Sequence, residues 1–217
     1  MSYKWKHPIP ISPDEVYSRG GFSMQLDVFD YYLIAINSLG IILYLINWWL
    51  YSHTERAQID ILLTICCLAG GSLGIIIAIL CVDRKPGKEN MLSRVVVACT
   101  FVLQLILVLI VKGVINNRVS LALWDFFENH KLLIWYLIAV NIIAIVAFGI
   151  DKIAAVERKG RIKIVTLLGI AFIGGAVGAL IAMYSFRHKT KQPYFQIGVP
   201  LILVTHIVVL FFVVNIA

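Results

Sequence analysis

The sequence predicts an all-α, polytopic membrane protein with six transmembrane helices arranged as a 3+3 inverted repeat. Three observations carry this. Sixty per cent of the 217 residues are apolar and the mean hydropathy is +0.90, more apolar surface than a soluble domain of this size can hide from water. Six stretches reach the roughly 20 residues needed to cross about 30 Å of hydrocarbon. The chain also matches itself without a gap when shifted by 104 residues.

The six stretches are Tyr31–Tyr51, Ile61–Val82, Val95–Val114, Leu132–Ile150, Ile164–Tyr184 and Ile197–Ile216. Each is continuously apolar, not alternating, so helices are expected and a β-barrel is not. Residues 1–30 contain Pro8, Pro10 and Pro13 with several charges. They have no apolar core of a cleavable signal and read as a cytoplasmic or interfacial segment. Segment 118–131 mixes Trp124, Phe126 and Phe127 with Asp125, Glu128 and Lys131. It is too polar to span, so 116–134 is expected to be an interfacial linker between a half at 31–115 and a half at 135–217.

Charge fits loops between spans. The formal net charge is +7, yet charged residues make up 14% of the chain and cluster between the apolar runs. Lipid is therefore the expected partner, together with a second membrane subunit or a homodimer, and nucleic acid is not. With six spans, twelve Lys and Arg fall on the side holding both termini and seven on the other. The excess predicts a multi-pass protein of the cell membrane with its N- and C-termini in the cytoplasm. Cys66, Cys67, Cys81 and Cys99 lie in or beside apolar runs without zinc-ligand spacing, and read as small helix residues. No metal or cofactor is expected.

In the 104-residue register, Tyr32-Leu33-Ile34-Ala35 falls on Tyr136-Leu137-Ile138-Ala139 and Asn37 on Asn141. Gly70, Gly71 and Gly74 fall on Gly174, Gly175 and Gly178. The paired glycines one turn apart read as close helix-packing sites. Asn37 and Asn141 read as a shared polar feature near the membrane midplane. Three spans per half would insert the second half upside down.

The second half holds the polar residues. Asp151-Lys152 ends its first helix, Arg161 lies in the next loop, and Arg187-His188-Lys189-Thr190 follows the glycine helix, with Phe195 beyond. On these residues the region 135–217 resembles domain-of-unknown-function family 1294, the small YsdA-like bacterial membrane proteins, which are similar to a single half of this chain. The resemblance brings no activity with it. It departs at Lys163-Ile164, where the family has Pro-Glu, and the first half is a degenerate copy with Asn47-Trp48 in place of Asp151-Lys152.

Arg187, His188, Lys189, Lys152, Arg161 and Asp151 are the candidates for binding an anion or a lipid headgroup, by charge and multiple N–H donors. A fifth helix that spans would hold Asp151, Lys152 and Arg161 about 30 Å from Arg187, His188 and Lys189. Glu55 is then the expected partner of Arg187 or Lys189. No nucleophile with an orienting partner stands out, so a non-enzymatic binding, accessory or small transport-type protein is expected. The alternative is a lipid-headgroup-modifying enzyme using the Arg-His-Lys loop.

Overall fold

The computed structural model describes residues 27–53, 60–84, 87–88, 90–113, 123–158 and 160–216. The chain divides into a unit of residues 1–32 and a unit of residues 33–217. In the first, the Asp27 carboxylate accepts the Val28 N–H at 2.8 Å and the Asp30 carboxylate accepts the Asp27 N–H at 3.1 Å. These bonds satisfy donors that the start of a helix leaves free. Helix α1 (Val28–His53) continues into the second unit.

The rest of that unit is helical among the described residues. Its first half contains α2 (Asp60–Cys66), a π-helical turn at Cys67–Gly71, α3 (Ser72–Val82) and α4 (Met91–Val111). A short helix α5 (Leu123–Asn129) leads to the second half. There follow α6 (Lys131–Val156), α7 (Ile164–Ile170), a second π-helical turn at Ala171–Gly175, α8 (Ala176–Ser185), α9 (Pro193–Gln196) and α10 (Gly198–Ile216). Among the described residues, six helical segments are long and apolar enough to cross a membrane, as expected from composition and length.

Two of the six fold back on themselves. Gly174 breaks the segment 164–185 with φ 127°, and Gly70 breaks the segment 60–82 with φ 121°. L-residues rarely adopt that conformation and glycine does so freely. Past Gly174 the chain returns to the end of α6 it came from. The Ile162 N–H, ahead of the break, donates to Asp151 Oδ1 at 3.0 Å; His188, beyond it, reaches Asp151 Oδ2 at 2.8 Å. A straight helix over 164–185 would hold those groups about 33 Å apart. The first half does the same. Asp60 meets Asn47 and Asp83 meets Tyr44, at neighbouring turns of α1.

The expected separation of the two polar clusters by a spanning fifth helix is therefore overturned. Val95 of α4 packs on Gly198 of α10, and further along both helices the Cys99 thiol meets the Thr205 hydroxyl. The two helices thus run parallel, whereas equivalent helices of inverted halves would run antiparallel.

Breaking a helix frees backbone groups that an apolar surround cannot satisfy. Side chains from neighbouring helices take them up. At the second break the Phe172, Ile173 and Gly174 carbonyls accept from His206 Nε2 (2.8 Å), the Tyr136 hydroxyl (2.5 Å) and Asn141 Nδ2 (3.1 Å). The Gly178 N–H donates to Asn141 Oδ1 at 2.6 Å. At the first break the Gln104 amide donates to the Cys67 carbonyl at 2.5 Å, and the Gly74 N–H donates to Asn37 Oδ1 at 2.8 Å. Asn37 and Asn141 thus each complete a broken helix within their own half.

The glycine triplets divide their roles. Gly70 and Gly174 make the breaks. Gly74 and Gly178 let α3 and α8 lie on α1 and α6 so closely that a Cβ would overlap the Asn37 or Asn141 carbonyl oxygen. The main buried cluster lies in the second half and draws in the start of α4. Phe148, Leu167, Met183, Phe195, Val199 and Ile202 fill it, with Met91, Val95 and Cys99. A smaller cluster of Cys67, Ile75 and Val97 serves the first half.

Candidate functional site

Asp151 sits in the last turns of α6 with no exposed surface. A carboxylate there must be paired or hydrogen-bonded. It receives the Ile162 N–H on Oδ1, and His188 Nε2 (2.8 Å) and Lys189 Nζ (2.7 Å) on Oδ2. Three segments, the end of α6, the approach to α7 and the exit from α8, are tied at one group.

The exit from α8 is shaped for this. The His188 N–H donates back to the Met183 carbonyl at 3.0 Å, and Arg187 takes the left-handed conformation with φ 46°. That is the usual helix-ending turn, with arginine where glycine is commonest. Lys189, also left-handed at φ 61°, then swings back over the Phe195 ring, 4.9 Å from its centre. Phe195 is fully buried and meets Phe148 edge-on at 5.5 Å. Lys189 is thus held by a carboxylate on one side and an aromatic face on the other.

The six candidate residues divide into two groups. Asp151, His188 and Lys189 come together in the buried knot. Arg161 and Arg187 are exposed and Lys152 is half-buried, one residue along from Ile162, His188 and Asp151. These three lie outside the knot and have no carboxylate partner among the described residues, and the same holds for Arg158, Lys163 and Lys191. Glu55 and its expected pairing lie outside the described residues; Lys189 has Asp151 as its acid. Lys163 stands exposed just before α7, where the resemblance would place a proline.

Sequence reasoning missed the first half's own knot. Asp83 pairs with Arg94 at 2.9 Å and accepts from Asn90 Nδ2 (2.7 Å) and the Tyr44 hydroxyl (3.3 Å). It occupies the register position of Arg187, which lies outside the second half's knot, and it ties the first helix and the end of the return helix to the start of the third. A possible signal was Asp83 itself, a lone acid at the end of an apolar run.

Chemically, a fully buried carboxylate holding three donors acts as a structural tie. Replacing Arg187 with glycine removes the left-handed strain and should stabilise the protein by about 1 kcal/mol. Thermal unfolding in detergent would register this as a rise in Tm of a few degrees. A fall would mean that the arginine side chain makes a stabilising contact of its own.

The family model described as a protein of unknown function (DUF1294) matches residues 141–195. That span opens on Asn141, contains both glycines of the second break and the whole Asp151 knot, and closes on Phe195. The chain is 45% identical over 69 residues to the uncharacterized protein YsdA of Bacillus subtilis (strain 168), covering 32% of this chain and 78% of that one. No solved structure matches the chain.

Proposed function

The chain belongs to the DUF1294 family of proteins of unknown function, and from its folded-back segments we propose a non-enzymatic binding or accessory protein of the cell membrane. It consists of two like-oriented copies of one three-segment unit. It crosses the membrane four times, with α1, α4, α6 and the final helix α10. The two broken segments are re-entrant hairpins that enter and leave on the same face. The observation that carries this reading is the single Asp151 carboxylate bonded to both ends of the segment 164–185.

Charge supports the same arrangement. With four crossings, thirteen of the nineteen Lys and Arg fall on the side of the hairpin mouths, in the connections or in the adjoining helix ends. Six crossings leave twelve against seven, so the bias sharpens. The mouths then face the cytoplasm and both termini lie outside, the reverse of the expectation from six spans. Exposed aromatics suit the two interfaces: Trp135 near the start of α6, Trp48, Trp49 and Tyr184 near the mouths. The cytoplasmic face carries Lys152, Arg158, Arg161, Lys163, Arg187 and Lys191, and its function is to hold anionic headgroups. Each such cation near an anionic surface contributes about 1 kcal/mol.

The test is cysteine accessibility in intact cells, on a background with Cys66, Cys67, Cys81 and Cys99 replaced by alanine. Arg84→Cys and Arg187→Cys should both be protected from an impermeant thiol reagent, and Gly113→Cys and Lys131→Cys should both react. Labelling of Arg84→Cys and Arg187→Cys from opposite sides would sink the proposal.

A further inference from the structure

We infer that the seam between α4 and α10 is a subunit interface carried inside one chain, and that the partner it fits is a second copy of the same three-segment unit, laid parallel. The inference rests on the two-unit reading above. Val95 packs on Gly198, and Cys99 meets Thr205. In the 104-residue register Val95 corresponds to Val199 and Cys99 to Leu203. Each contact therefore joins positions within two residues of being equivalent, at two levels along the helices. Equivalent positions meet in this way along a two-fold axis, where one surface patch faces itself. The axis here runs between α4 and α10, along them.

The burial pattern agrees. Met91, Val95 and Cys99 leave the first half's small cluster to Cys67, Ile75 and Val97, and join the large cluster of Tyr194, Val199 and Ile202 in the other half. The face is apolar and ungated by charge: Arg94, which corresponds to Gly198, is drawn aside by its ion pair with Asp83. The matched relative is about the size of one half, since 69 aligned residues make up 78% of it. A single unit is therefore enough chain for an independent protein, and in this one the first half stands where a second subunit would. The connection through residues 112–131 raises the effective concentration of one half beside the other without forming the contact.

The experiment inserts a protease site between Asn117 and Arg118 of the full-length protein, which is purified folded and then cut. Fragments 1–117 and 118–217 should co-elute in equal amounts from size exclusion in mild detergent. The same cut in a Gly198→Leu variant, whose side chain presses on Val95, should release them. Separation of the uncrowded fragments, or aggregation of either on cutting, overturns the inference, as does a Gly198→Leu pair that stays together. The failures are distinguishable. Separated fragments with Arg84→Cys and Arg187→Cys still on one face remove the seam alone; opposite faces remove the two-unit reading as well.

Discussion

Asp151→Ala should cost the protein about 3–5 kcal/mol, a large fraction of the stability a small domain has. The substitution removes the acceptor that Ile162, His188 and Lys189 share. It leaves the Lys189 ammonium, whose side chain is 13% exposed, against Phe195 with no counter-charge. An unpaired buried cation is the expensive part, because it loses water and gains nothing in exchange. Thermal unfolding in detergent, read by fluorescence-detected size exclusion, should show a large fall in Tm or loss of the monodisperse peak. Adding Lys189→Met to Asp151→Ala should recover part of the loss, because the orphan charge goes too. An Asp151→Ala variant with an unchanged Tm would refute the knot. Asp83→Ala should cost less, since the partners Arg94 and Asp83 keep about a fifth of their surface in contact with solvent.

Gly178→Leu should be at least as damaging, by about 3 kcal/mol or more. Its Cβ would overlap the backbone oxygen of Asn141, and backbone cannot move aside as a side-chain tip can. The helices α6 and α8 would have to part, which also breaks the Gly178 N–H bond to Asn141 Oδ1 and leaves two polar groups orphaned. Gly74→Leu should do the same to α1 and α3. Gly169→Leu is the control: nothing lies within 4 Å of a Cβ there, and the position is exposed. Expression and Tm of the Gly169 variant should match the parent; if Gly178→Leu matches it too, the close approach is not as described.

Much of this was legible in the sequence. Run length and hydropathy located all six apolar segments, because the free energy of placing them in hydrocarbon depends on composition. Glycine triplets and asparagines in the 104-residue register marked the places where backbone comes close or needs a donor, and the structure puts a break and a cap there. The Asp, His and Lys of the knot were recognisable as unusual polar residues at helix ends. That they bind one another was not, because the inference of two distant clusters followed from treating 164–185 as one rod.

Hydropathy could not have corrected that error. A rod that crosses and two half-helices that return bury the same apolar side chains. The difference lies in whether the carbonyls freed at Phe172, Ile173 and Gly174 find donors. Those donors are His206, Tyr136 and Asn141, 33 to 37 residues away on other helices. By itself, then, the sequence determined that this protein has six apolar segments, where they lie to within a few residues, and that two of them carry glycine at matching positions. Tertiary structure alone decided that those two turn back, that α4 and α10 run parallel, and that Asp151 meets His188 and Lys189. The reason is physical: composition sets the cost of leaving water, whereas the path of a broken helix is set by the side chains that satisfy its exposed backbone.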